Sequence, residues 1–423
     1  MAAIGNRMAD FAITLWVWEA TSSATALALT GFFFQLPSII TSLFAGVLVD
    51  RVSRKSLMIL SEVAAALSIL VLLILHWQGH LALWHLYAAF LLNGSFERFG
   101  GLAYWASMTS LISSADYIRA NSMNGATGYI AGIVAPGIAG LLYPIVGLGG
   151  MWLINLAALA VVIVVLVLLE IPQQAVQQVE DKQKTTKGQI DYFASLWAEI
   201  TFGIRYIWRS PGLRSLLIIT TLFWGASAGC SAIFDPMILA RSGGSSEVLG
   251  AIITMAGVSG IGSAIALSIW GGFRQNVRGM LVGFSGAGLA KIVFGLGQGL
   301  SIWLPAQFCS SLNYPLLKSS ERALWMSATP PDIQGRIFAA RSFINDTAEL
   351  AATLLAGVLS DRVFEPGMRS SGLLQFLFGP MFGVEAGAGI ALLYVGGAVG
   401  MLLVGLFGFR LSGLRSLEAL KLK

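Results

Sequence analysis

Charge is scarce in this chain: Asp, Glu, Lys and Arg make up 11% of its 423 residues, against about 25% in an average soluble domain. So few charges cannot coat the water-facing surface of a protein this long, which excludes a soluble globular fold. Cysteine is scarcer still. Cys230 and Cys309 both fall in apolar runs and read as small buried residues, with no disulfide and no metal-ligand spacing. The three histidines, His76, His80 and His85, have no Cys or carboxylate set beside them, so neither a zinc site nor any cofactor is expected. A Gly-x-x-x-x-Gly-Lys-Ser/Thr loop is missing, which argues against ATP as the energy source. Gly225-Ala-Ser227-Ala-Gly229 matches a hydrolase nucleophile string. It lies inside an apolar run without the strand-to-turn setting that string requires, so it reads as small-residue helix packing and no enzyme activity is expected.

What is present is apolar sequence: 56% of residues are hydrophobic and the mean hydropathy is +0.77. Runs of about 20 apolar residues, enough to cross about 30 Å of hydrocarbon, recur along the chain. A β-barrel would need short alternating segments, whereas Leu156 to Leu169 is apolar without alternation. The expected fold is therefore an all-α membrane protein with twelve transmembrane helices. The spans are placed near 2–21, 27–49, 57–77, 83–112, 122–146, 150–171, 213–238, 248–271, 280–299, 302–326, 337–360 and 387–409. Residues 172–212 form the one long polar interruption, and within it Ile190 to Trp208 has helical apolar spacing suited to a plain connector or to a membrane-surface helix. The expected division is 1–171, a six-helix bundle; 172–212, a cytoplasmic linker; 213–409, a second six-helix bundle; and 410–423, a cytoplasmic tail.

Basic residues fix the orientation. If the first helix runs outward, the outer loops keep only Arg241, Arg362 and Arg369, and the other loop and tail Lys and Arg residues face inward. Both termini are then cytoplasmic in a bacterial plasma membrane. The net charge of +5 reflects this sorting and contact with anionic lipid, with no nucleic-acid partner. Arg7 and Asp10 interrupt the first span, so either the true start lies upstream or the first helix is truncated and strained.

Between the second and third spans the chain reads Gly46-Val-Leu-Val-Asp50-Arg51-Val-Ser-Arg54-Lys55. This resembles the loop of the major facilitator superfamily, Gly-x-x-x-Asp-Arg-x-x-Arg followed by Lys or Arg, at every pattern position. In the fifth span Gly128, Gly132, Pro136, Gly137 and Gly140 resemble the glycine-proline signature of that superfamily's antiporters, with Ala135 where Gly is usual. Phe11-Ala-Ile-Thr-Leu-Trp-Val-Trp18 and Arg119-Ala-Asn-Ser look like its macrolide-efflux and siderophore-export branch.

The resemblance implies two pseudo-symmetric six-helix bundles, with spans one, four, seven and ten lining a central cavity. An ionisable group inside the membrane is costly and marks function. The candidates for coupling are Asp10, Glu97 and Arg98, Asp235, and Lys318 with Glu321 and Arg322. Lys318 and Glu321 are three apart on one helical face and are expected to pair. Asp346 and Glu349 share a face of span eleven, there to contact cargo or to pair across the bundles. Gly46, Asp50, Arg51, Arg54 and Lys55 are the expected conformational switch, with Asp50 facing either the start of span eleven near Arg336 or Arg119, and the Lys and Arg residues as cytoplasmic anchors. The expected activity is proton-coupled efflux of a bulky amphiphilic small molecule, drug-like, macrolide-like or siderophore, by a monomer in contact with lipid. Alternatives are a lipid or lysolipid flippase of the same fold and a non-transporting membrane sensor or scaffold.

Overall fold

In the computed structural model, residues 2–42, 53–111, 117–169, 200–370 and 372–419 are described. Every element among them is helical. The chain divides into two compact units, Met1–Gln183 with Gly244–Thr254, and Lys184–Gly243 with Met255–Lys423.

The first unit contains α1 (Ala2–Thr21), α2 (Ala24–Ser42), α3 (Arg54–Trp77), α4 (Leu83–Leu111) and α5 (Tyr117–Leu168). The fifth and sixth expected spans run together in α5, which bends at Gly147, where φ is 63°. Ser53 caps α3 by accepting the Ser56 N–H at 3.1 Å. α2 and α4 meet so closely that a methyl group on Gly94 would overlap the Phe34 carbonyl. Gly137 and Gly140 of the glycine-proline signature are also contact points: a Cβ on Gly140 would lie 2.7 Å from the Ser246 carbonyl, and Ser246 Oγ donates to Gly140 O at 2.9 Å. Gly132 has open space beside it. Small residues permit this approach because lipid supplies no hydrophobic drive to press helices together.

The second unit contains α6 (Pro211–Ala232), α7 (Phe234–Arg241), most of α8 (Ser246–Trp270), α9 (Asn276–Leu296), α10 (Leu300–Ala328) and α11 (Gln334–Leu359). After a π turn at Ser360–Phe364 come α12 (Glu365–Arg369), α13 (Leu373–Phe382), α14 (Ala388–Gly408) and α15 (Ser412–Ala419). Three features depart from the sequence reading. The expected seventh span breaks at Ile233, so Asp235 sits in the first turn of short α7, where a carboxylate suits the positive helix end. Residues 200–209 are helical and packed, with Ile207 fully buried and Phe202 under the Arg336 guanidinium at 5.5 Å, which makes the end of the expected linker part of the fold. The tail folds back: Leu414 and Leu417 of α15 are buried, and Leu417 packs on Gly212.

Among the described residues seven stretches are long and apolar enough to cross a membrane: those in α2, α3, α5, α8, α9 and α14, and the run Pro211–Arg241. Their outward faces expose large apolar side chains, such as Ile145 at 78% and Ile269 at 82%, which water would not tolerate in such number and lipid does. Four further helices of similar length, α1, α4, α10 and α11, are too polar to join them. These four carry Asp10, Glu97, Glu321 and Glu349.

Candidate functional site

The charged positions gather in two places, one in each unit. In the first, α1 to α5 enclose a cavity of about 830 Å³. That volume suits a drug-sized molecule. Arg7 and Asp10 reach it from one face of α1, and Asn93 and Glu97 from one face of α4, because residues three or four apart in a helix stack above one another. Glu62 enters from α3 and Asn155 from α5. Asp10 and Glu62 are each within electrostatic range of Glu97, so three carboxylates from three helices share one space. Neither an ion pair nor a hydrogen bond to a described residue engages Glu97, although its neighbour Arg98, about 100° further round the helix, lines the same cavity. Asn155 is 2% exposed, and its buried Oδ1 has no hydrogen-bond partner among the described residues behind the wall of this cavity. Arg7 and Asp10 are tolerated in α1 because they face this space rather than hydrocarbon. Ser68 Oγ ties α3 to α4 by donating to Asn93 Oδ1 at 3.1 Å. Among the described residues no set of His, Cys, Asp and Glu side chains is arranged to ligate a metal ion.

The second place has a different character. Glu321, 1% exposed, is held by Arg341 of α11 and by the Trp224 indole of α6, whose Nε1 donates to Oε2 at 2.9 Å. The expected pairing of Lys318 with Glu321 does not form: Arg341 takes the carboxylate, and Lys318 lies over the Trp224 ring at 5.3 Å. Two facts explain the exchange. The planar guanidinium matches a carboxylate better than an ammonium does, and Arg341 also stacks at 5.1 Å on Trp325, which fixes it. Thr221 Oγ1 donates to Asn345 Oδ1 at 2.6 Å, joining α6 to α11 a second time. Glu349 lies within electrostatic range of Asp346, Lys318 and Glu321. Arg322 is exposed and outside this group, and Asp235 belongs to neither place.

Of the expected switch, Gly46, Asp50 and Arg51 lie outside the described residues, so the contact sought for Asp50 does too. Lys55 ties α3 to the end of α5: its Nζ donates to Val167 O at 2.8 Å and to Leu169 O, just past the helix, at 2.7 Å, where a cation suits the negative helix end.

Three charged positions escaped the sequence reading. Glu62 is a lone acid in an otherwise apolar span, and that isolation was the signal. Arg341 lies within the expected eleventh span, and only the fold shows that it reaches Glu321. Lys291 of α9, 6% exposed, donates to Tyr394 Oη at 3.2 Å and lies over the Tyr394 and Phe234 rings, so aromatic faces stand in for water around its charge.

Comparison with known proteins agrees with this picture. The chain is 22% identical over 368 residues to macrolide efflux protein A of Streptococcus pyogenes, covering 86% of this chain and 87% of that one. It is 22% identical over 366 residues to the multidrug efflux pump Tap of Mycolicibacterium fortuitum, covering 85% and 87%. Its fold resembles that of a bacterial homologue of the iron transporter ferroportin in the inward-facing state, with a TM-score of 0.68 at 13% identity over 97% of this chain and 96% of that one. The family model described as Major Facilitator Superfamily matches residues 1–352, and the chain belongs to that superfamily of membrane transporters.

Proposed function

We propose that this transporter has twelve membrane-spanning helices in two six-helix bundles, lies in the bacterial inner membrane with both termini in the cytoplasm, and exports a bulky amphiphilic compound in exchange for protons. The observation that carries the reading is the first-unit cavity, where Asp10, Glu62 and Glu97 converge. Three carboxylates in one enclosure repel one another, and either a proton or a polar, positively charged cargo relieves that repulsion. The two ligands then compete for the same relief, which is the thermodynamic basis of exchange. Glu97, central to the three and unpaired, is the group whose neutralisation would trade cargo for proton. The efflux names of the relatives support the outward direction.

The test uses inside-out vesicles energised with a proton gradient and challenged with macrolides, cationic dyes and siderophores. Glu97→Gln should abolish gradient-driven movement while leaving gradient-independent exchange of the same cargo intact. Proton-driven transport that survives in Glu97→Gln would overturn the coupling role, and loss of exchange as well would assign Glu97 to cargo binding.

A further inference from the structure

In the second unit an aromatic face already holds a cation. The Trp224 indole is gripped at its edge, since Nε1 donates to Glu321 and Glu321 is fixed by Arg341. Tyr314 of α10 lies 6.2 Å from it, tilted by 47°, and its hydroxyl shares a 3.0 Å hydrogen bond with Ser227 of α6. The open face of the indole carries the Lys318 ammonium at 5.3 Å. Lys318 is exposed and forms no ion pair with a described carboxylate, while Glu349 of α11 is within electrostatic range of it. A lysine kept for stability would be expected to end on a carboxylate. This one ends on a π face, at the tip of a flexible four-carbon stem, and can leave without stranding a buried charge.

We propose that the Trp224 face is a subsite for the cationic group of an amphiphilic cargo, and that Lys318 is a tethered occupant which the cargo displaces. The inference rests on the transport reading above and adds a cargo class to it: aryl-bearing or alkyl-bearing cations, whose charge suits the indole face and the neighbouring carboxylates. Glu321 and Arg341 act as positioning residues that hold the indole plane. The displaced ammonium keeps Glu349 as an electrostatic neighbour, so loading does not isolate it. When cargo leaves, Lys318 returns, and the empty site is never a bare cluster of carboxylates.

The experiment is equilibrium binding of tetraphenylphosphonium to the full chain in lipid nanodiscs, without a gradient. Lys318→Met keeps the apolar stem and removes the competitor, so binding should tighten about tenfold. Lys318→Arg retains a cation and should bind as the parent does. Triphenylphosphine oxide, neutral and similarly aromatic, should bind the parent and Lys318→Met equally. Because Lys318 is exposed, Lys318→Met is expected to fold, and thermal unfolding of the same sample checks it. Unchanged or weaker tetraphenylphosphonium binding in Lys318→Met overturns the proposal. So does an equal gain for triphenylphosphine oxide, which would report space alone, or an equal gain in Arg322→Met, which would report net charge alone. No gradient enters this measurement, so its failure is separate from a failure of proton coupling in the vesicle assay.

Discussion

Two glutamates stand in nearly the same words, Ser95-Phe-Glu97-Arg98 in α4 and Ser319-Ser-Glu321-Arg322 in α10, and the two units treat them in opposite ways. Glu321 is buried, clasped by Arg341 and Trp224, and so tied to two other helices. Glu97 lines a cavity of about 830 Å³, with two other carboxylates for company and no hydrogen bond or ion pair to a described residue. An ionised group without a partner contributes little to holding a fold and much to responding to what enters, whereas a fully satisfied one does the reverse. Sequence similarity between the halves therefore marks a shared position, while the neighbours decide the job.

The comparison can be broken most directly at Arg341. Arg341→Met strands a buried carboxylate and should cost about 3–5 kcal/mol of unfolding free energy in detergent, most of it regained in the double variant Glu321→Gln, Arg341→Met. Glu97→Gln, by contrast, should stay within about 0.5 kcal/mol of the parent in the same measurement, because no bond is lost. Equal penalties for the two changes would mean that Glu97 is a structural ion after all. A smaller effect tests the scaffold of the open cavity: Gly94→Ala pushes a methyl group into the Phe34 carbonyl and should destabilise the first unit by about 1–3 kcal/mol, read as earlier thermal unfolding. Smaller again is Ser68→Ala, which removes one hydrogen bond between α3 and α4 and should cost about 0.6 kcal/mol. A loss from Ser68→Ala as large as that from Arg341→Met would show that the first unit too is held by its polar contacts.

The helices were legible in the sequence, since apolar length alone announces them. Which way each helix faces was much less so. In a soluble protein one face of a helix is polar and the pattern reveals its rotation, but lipid is as apolar as a packed interior, so α3 or α9 shows no such stripe. Glu62 and Lys291 were missed for that reason: each is a single charge whose surroundings come entirely from other helices. Asp10 and Glu97 were read as candidates and do share a cavity. Lys318 and Glu321 were placed on one face by spacing, but spacing within α10 could not show that Arg341 would arrive from α11. The glycine-proline signature was visible as letters, and its role as a place where Ser246 touches Gly140 required the fold.

The π turn at Ser360–Phe364 fits one residue more into its length than an α-helix would. Just beyond it, the Glu365 carboxylate accepts the N–H groups of Gly387 at 2.8 Å, Gly389 at 3.1 Å and Ile390 at 3.3 Å, where α14 begins. Removing one residue there would restore regular α-helical winding with Glu365 still in phase with these three donors, whereas adding one would swing it by about 100°, away from them. The stretch between Leu359 and Glu365 is thus a matter of counting: the wide turn has one letter to spare, so a single deletion is taken up there, while an insertion puts everything after it out of phase.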